Sequence, residues 1–351
     1  MRIYMKFLVV ICLIGLNSCN VHDEVYSNKN LNFYSKNDFK NLKQIKSKKL
    51  PFKYDSIIFP EGMDIVNNHL ILLDDKTTYP LQVYNLETYQ FIGSYGKKGR
   101  GPGEIKHAKQ LFSDNDDLFF MYDLELKKIL GYSLESLLED KPMFDRKINE
   151  SGYCISITMI ENNIYYTDFY GNNNSFYKLD TISGSIETFG SLIHNAKGVA
   201  NKTFSQACAA HIIHGNNNII TAYKYAPFFE IYNLDTNKIT SILTIDKFPP
   251  IYDELSNNGH KIFSLINGET RNAFIALDTS ENYIYMLFSG NVISTENFYK
   301  KGNRILVFDY DGKPISLYNL DTPIYNFKVV NDESIIGLSS DITVDVVKFN
   351  L

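Results

Sequence analysis

The chain contains no tryptophan and only four cysteines among its 351 residues. Cysteines so few and so scattered exclude a disulfide scaffold or a zinc site. Basic charge is short as well: 35 Lys and Arg face 40 Asp and Glu, a formal net charge of −5. Nucleic-acid binders carry the opposite excess, so no nucleic-acid partner is expected. Long apolar runs are missing; the ten residues Phe7–Leu16 (FLVVICLIGL) are too few to cross a bilayer as a helix. Catalytic signatures are missing too. No G-x-S-x-G occurs, and the glycine-rich stretch at 99–104 lacks the Lys-Ser/Thr of a phosphate loop. The acid run Asp114-Asn115-Asp116-Asp117 lacks the glycine and the closing Glu of a calcium loop. Neither cofactor nor metal is expected.

What is present is the material of a globular core: 44% hydrophobic residues, with 25 Tyr and 24 Phe. The chain opens on an address. Arg2 and Lys6 precede the apolar run, as in a secretory signal. Leu16-Asn17-Ser18-Cys19 then resembles the bacterial lipobox. That resemblance implies cleavage before Cys19, lipidation of Cys19 and a membrane anchor, with the outer membrane as the expected location. Removing residues 1–18 takes away two positive charges and no acid, so −5 becomes −7. Residues 19–46 are polar and rich in Asn and Lys, and read as a tether to a domain over 47–351. Cys12 leaves with the signal; Cys154 and Cys208 remain, either as two buried thiols or as a pair.

A weak internal repeat organises the domain. Six segments join an Asn- or Asp-rich turn to a short apolar and aromatic strand: 67–74, 115–123, 161–168, 216–223, 281–288 and 332–339. Anchored on Leu70, Leu118, Ile164, Ile219, Ile284 and Ile335, they are spaced by 48, 46, 55, 65 and 51 residues. A second strand follows each, and a third run follows five of the six. With the apolar run before each anchor, every repeat supplies four short strands. One such sheet cannot cover both its faces, so the pattern predicts an all-β, six-bladed β-propeller of four-stranded antiparallel blades. The last repeat ends at Leu351 without an outermost strand. The run 49–59 (KLPFKYDSIIF) is expected to supply it as an N-terminal velcro strand. The insertion at 246–275 is expected to form a short helix or loop over one face.

The stretch KKGRGPGEI (97–105) resembles the GPGE-type signature found after the first blade in Bacteroidetes six-bladed propeller lipoproteins of the TolB-like and NHL-like group. Residues 273–291 and 303–315 are similar to that group's fifth-blade region, with Phe288-Ser289-Gly290 in place of the frequent Tyr-Ser-Gly. The resemblance implies a lipid-anchored propeller and covers about residues 50–351.

In a propeller the loops that lead into the innermost strands reach the mouth of the central channel, where ligands usually bind. Those stretches carry Glu61, Arg100, Glu104, His107, Lys109, Tyr153, Gln206, His211, Arg271, Asn272 and Tyr325. The candidate channel-face residues are Arg100, Glu104, His107, His211 and Arg271. Arg100 and Glu104 are also placed to tie the inter-blade turn together. His211 and His214 stand three apart on a strand and face opposite ways, which argues against a shared metal. The reading is a monomeric binding or scaffold module for an envelope protein, peptide or glycan. The alternative is a hydrolase, lyase or lactonase working at the channel face on an envelope or glycan substrate.

Overall fold

The computed structural model describes residues 31–52, 59–113, 117–148, 154–168, 176–189, 210–257, 260–294, 301–340 and 343–351. Within these, six four-stranded antiparallel blades follow one another in chain order. Their innermost strands are Gly62–Val66, Ala108–Ser113, Cys154–Ile160, Ala210–Gly215, Phe274–Thr279 and Asn326–Val330. Each inner strand touches those of the two flanking blades, and the sixth touches the first, so the ring is closed. The six anchor segments become the second strands, for example His69–Leu73 and Asn218–Tyr223.

The repeated polar turns have a backbone reason. Asn67, Asn68, Asn216, Asn217, Asn331 and Asp332 all have positive φ, between 41° and 61°. Two successive left-handed residues suit a tight hairpin whose twist matches its strands, and Asn and Asp tolerate that conformation best after Gly. Aromatic rings then fill the seams between blades. At the seam of blades 4 and 5, Phe229 and Phe308 meet edge-on at 4.9 Å, and Phe274 and Phe288 at 5.3 Å. Phenylalanine and tyrosine do the packing that tryptophan could have done.

The N-terminal segment departs from the tether expected over 19–46. Leu31–Phe33 runs parallel to Ile239–Leu243 at the rim of blade 4. Asn41–Ile45 runs parallel to Pro314–Ile324 at the rim of blade 5. Ser47–Lys49 pairs antiparallel with Val344–Asn350 of blade 6. The strand on the last blade therefore ends at Lys49, where the expected run 49–59 begins; residues 53–58 of that run fall outside the described residues. Side chains hold this strap: Phe39 and Ile45 are buried, and Phe39 packs edge-on against Phe308 at 5.4 Å.

The insertion forms a two-stranded hairpin, Asp253–Asn257 with His260–Ser264, rather than a helix. The α-helix among the described residues is Leu134–Leu138 in blade 2, capped reciprocally by Ser133 and Ser136. The Cys154 thiol is buried in blade 3, and Cys208 lies outside the described residues. No described helix is long and apolar enough to cross a membrane.

Candidate functional site

The six inner strands enclose a central channel with a cavity volume of about 920 Å³, lined by residues of every blade. At the end where the inner strands begin, Glu61, Lys109, His211, Lys224 and Asn326 contribute to its wall. Lys109 Nζ lies 3.2 Å from Glu61 Oε2, an ion pair between blades 2 and 1.

Polar groups stitch the inner strands at each seam. The Gln110 side chain both donates to Ile157 O (2.9 Å) and accepts from Ile157 N (3.0 Å), joining blades 2 and 3. Ile212 N donates to Ser156 Oγ at 3.0 Å between blades 3 and 4. Thr279 Oγ1 donates to His214 O at 2.8 Å between blades 4 and 5. Val329 N donates to Asp278 Oδ2 at 2.6 Å between blades 5 and 6, and Asn326 Nδ2 to Glu61 O at 3.2 Å between blades 6 and 1. Buried polar groups need such partners, and here the partners fix the neighbouring blade.

Deeper in the channel wall stands an acid–lysine–acid triad. Lys328 of blade 6 reaches Asp278 of blade 5 at 2.7 Å and Asp64 of blade 1 at 3.2 Å. Asp64 and Asp278 are almost wholly buried, 1% and 2% exposed. Burial pulls the Lys328 ammonium down, but the two carboxylates outweigh it and hold its pKa above the ordinary lysine value. Burial pushes the Asp278 carboxyl up, and Lys328 offsets only part of that. A lysine held protonated in this way is neither nucleophile nor base at neutral pH; its chemistry here is electrostatic. Two acids around one base leave a negative balance, and Asp64 Oδ2 is buried without a hydrogen-bond partner.

Of the five candidate residues, His211 lines the channel and the other four do not. Arg100 is exposed and pairs with Glu125 at 2.5 Å. Glu104 closes its own loop: Oε2 accepts from Gly101 N at 2.7 Å, and Oε1 sits 3.0 Å from Lys97 Nζ. The Gly101 amide first, then Lys97, holds its carboxyl below the usual range. His107 is half exposed, with Nδ1 3.9 Å from Asp75 Oδ2. Arg271 donates to Gly290 O at 3.0 Å and lies over the Phe248 ring. Arg100 and Glu104 thus belong to the inter-blade turn, while His107 and Arg271 sit outside the channel wall. Glu61, Lys109 and Tyr325, which the same loops carry, do line it; Tyr153 and Gln206 lie outside the described residues. Sequence reasoning missed Asp64, Asp278 and Lys328. The available signal was a charged residue inside a run that otherwise reads as a buried strand. Among the described residues, no three of His, Cys, Asp and Glu come together as metal ligands.

Known families give the geometry a context. The family described as TolB-like 6-blade propeller-like matches residues 34–332. The chain belongs to this TolB-like family. Among curated proteins no sequence matches. Two solved structures share the TolB-like chain's fold. One is a predicted exported protein of Bacteroides fragilis, 15% identical, with a TM-score of 0.55 over 87% of this chain and 94% of that one. The other is a DUF4221 family member from Bacteroides vulgatus, 9% identical, with a TM-score of 0.54 over 88% of this chain and 96% of that one. At such identities the likeness speaks for the fold and not for a ligand.

Proposed function

We propose that this TolB-like propeller is a binding module of the bacterial cell envelope, anchored by a lipid on Cys19, whose central channel takes an envelope protein, peptide or glycan. The observation that carries this reading is the channel itself: polar, about 920 Å³ in volume, and walled by all six blades. Its wall supplies hydrogen-bonding and ionic groups such as His211 and the Glu61–Lys109 pair, in the manner of a recognition surface. The lipobox Leu16–Cys19 supports the anchor, and the export predicted for the Bacteroides fragilis neighbour is in keeping with it.

Two measurements test the proposal. Cys19→Ala should move the protein from membranes to the soluble envelope fraction; sedimentation that survives salt and carbonate washing would refute the anchor. For the channel, a photoreactive benzoylphenylalanine replaces His211 in living cells, with the same residue at Met143, 66% exposed on blade 2, as control. Adducts with an envelope molecule are expected at 211 and not at 143. Equal yields at both sites, or none at 211, would refute the channel as the recognition site.

A further inference from the structure

The strap that wraps blades 4 to 6 is strongly basic. Residues 31–50 hold six lysines (36, 40, 43, 46, 48 and 49) and one acid, Asp38, a local charge of +5. Set against −5 for the whole chain, this leaves −10 for everything else. All six lysines are exposed. Two large apolar side chains stand among them, Phe33 at 48% and Leu42 at 49% exposure. Pairing draws off little of this charge: Lys49 meets Asp345 at 2.6 Å, and Lys43 Nζ lies 6.0 Å from the Tyr318 ring. The charge follows the outer rim, with blade 5 at the middle of the arc, where Asn41–Ile45 forms the outermost strand.

We infer that this rim is a docking surface for anionic lipid headgroups of the membrane that carries the Cys19 lipid. The inference rests on the anchor reading above. Eleven residues, 20–30, separate Cys19 from Leu31, where the strap joins blade 4. The twelve steps from Cys19 to Leu31 span at most about 43 Å, so the rim stays near the bilayer whatever path they take. Tethering at that range turns a weak attraction into an intramolecular one. Exposed lysines near an anionic surface attract it over about a Debye length, and Phe33 and Leu42 offer small apolar contacts to the interface. The acidic remainder is repelled by the same surface, which selects the rim over the two faces. The channel axis then lies parallel to the membrane, and both mouths stay open to soluble partners.

The test uses the chain from residue 19 with Cys19→Ala, which keeps every described residue, in sedimentation with vesicles. Vesicles containing phosphatidylglycerol should bind it, pure phosphatidylcholine vesicles should not, and about 0.5 M salt should abolish binding. Removing Lys40, Lys43 and Lys46 together should weaken binding roughly 100-fold, at about five-fold per lysine. Both Lys→Gln and Lys→Glu versions are made, and unchanged melting shows that they fold. Equal binding to the two vesicle types, or binding indifferent to these lysines, would overturn the inference. Salt-sensitive binding to soluble heparin without binding to phosphatidylglycerol would overturn it in favour of a polyanionic glycan. A failed anchor is a separate result: it would appear as the unaltered protein being soluble in cells, with vesicle binding of the Cys19→Ala chain intact.

Discussion

Lys328 Nζ stands 2.7 Å from Asp278 Oδ1 and 3.2 Å from Asp64 Oδ1, so one ammonium on blade 6 holds the carboxylates of both its neighbours. Blade 6 is the last in the chain and blade 1 the first, so the same contact closes the ring from inside. Replacing Lys328 with Met leaves two acids in a buried wall with no counter-charge. Breaking a buried ion pair on one side costs about 3–5 kcal/mol, far more than the pair is worth against an apolar substitute. The K328M chain should therefore lose about 3 kcal/mol or more in urea unfolding, as a lower midpoint at constant slope. The triple change D64N/K328M/D278N should recover most of that loss. A loss under about 1 kcal/mol for K328M would show that the wall is wetter than its burial indicates.

The same triad has a pH signature. The folded protein keeps the Lys328 proton to higher pH than the unfolded chain, whose lysine titrates near 10.5. Below that value both states are protonated, and the stabilisation is fully present. As pH rises past it, the unfolded chain releases its proton first, and stability falls until the folded-state pKa is passed. Other groups titrate in this range, so the measurement is a difference: wild type should lose urea midpoint more steeply than K328M between about pH 9 and pH 11.5. Asp278 acts at the acid end. Its folded pKa is raised, so the cost of its burial is complete above that pKa and is relieved as pH falls toward 3.8. Asp278→Asn should flatten this part of the profile, and parallel curves would remove Asp278 as the cause.

The blades were legible because their signals are local. Left-handed Asn and Asp residues mark the first hairpins of blades 1, 4 and 6, and short apolar strands beside polar turns recur in every blade, so the six turns and their strands could be counted. The triad was not legible, because Asp64 and Lys328 are brought together only by the register of a closed ring. The strap escaped for another reason: Asn41–Ile45 buries only Ile45, so its composition matches that of a solvated linker. Of the five candidate residues, His211 alone lines the channel. His211 stands on the inner strand of blade 4 itself, Ala210–Gly215, which lines the channel, whereas the loop into blade 2 folds back on itself through the Lys98–Ile105 bridge. That fold turns Arg100 and Glu104 away from the channel.

Phe39 separates a strap from a tether. It is 4% exposed and lies in the core shared by blades 4 and 5. Phe39→Ala should cost about 3–5 kcal/mol, the usual range for emptying a buried aromatic site. A chain that starts at residue 47 should be destabilised at least as much, because it also loses two rim strands. A chain that starts at residue 31 should melt like one that starts at residue 19. Equal melting of the two truncations would show that residues 31–46 contribute nothing to the domain.

Gly99 and Glu104 provide a test of the GRGPGE turn. A Cβ placed on Gly99 would fall on the Glu104 carboxylate, which folds over this position to accept from Gly101 N. Gly99→Ala should therefore push Glu104 out of its loop and break its contact with Lys97 as well. Glu104→Ala removes the same contacts from the other side. Each change alone should lower the melting temperature. Because both act on one set of contacts, the double variant should melt close to the worse single one, a non-additivity expected of residues that share partners. The Glu104 carboxyl is held below its usual range, so the loop should also lose order as pH falls through its folded pKa, in wild type but not in Glu104→Ala. Amide exchange of Gly101, whose N–H the carboxylate accepts, reads this directly. Additive losses together with a pH-independent protection factor at Gly101, its exchange rate taken relative to the intrinsic rate at each pH, would mean that Glu104 decorates the turn without holding it.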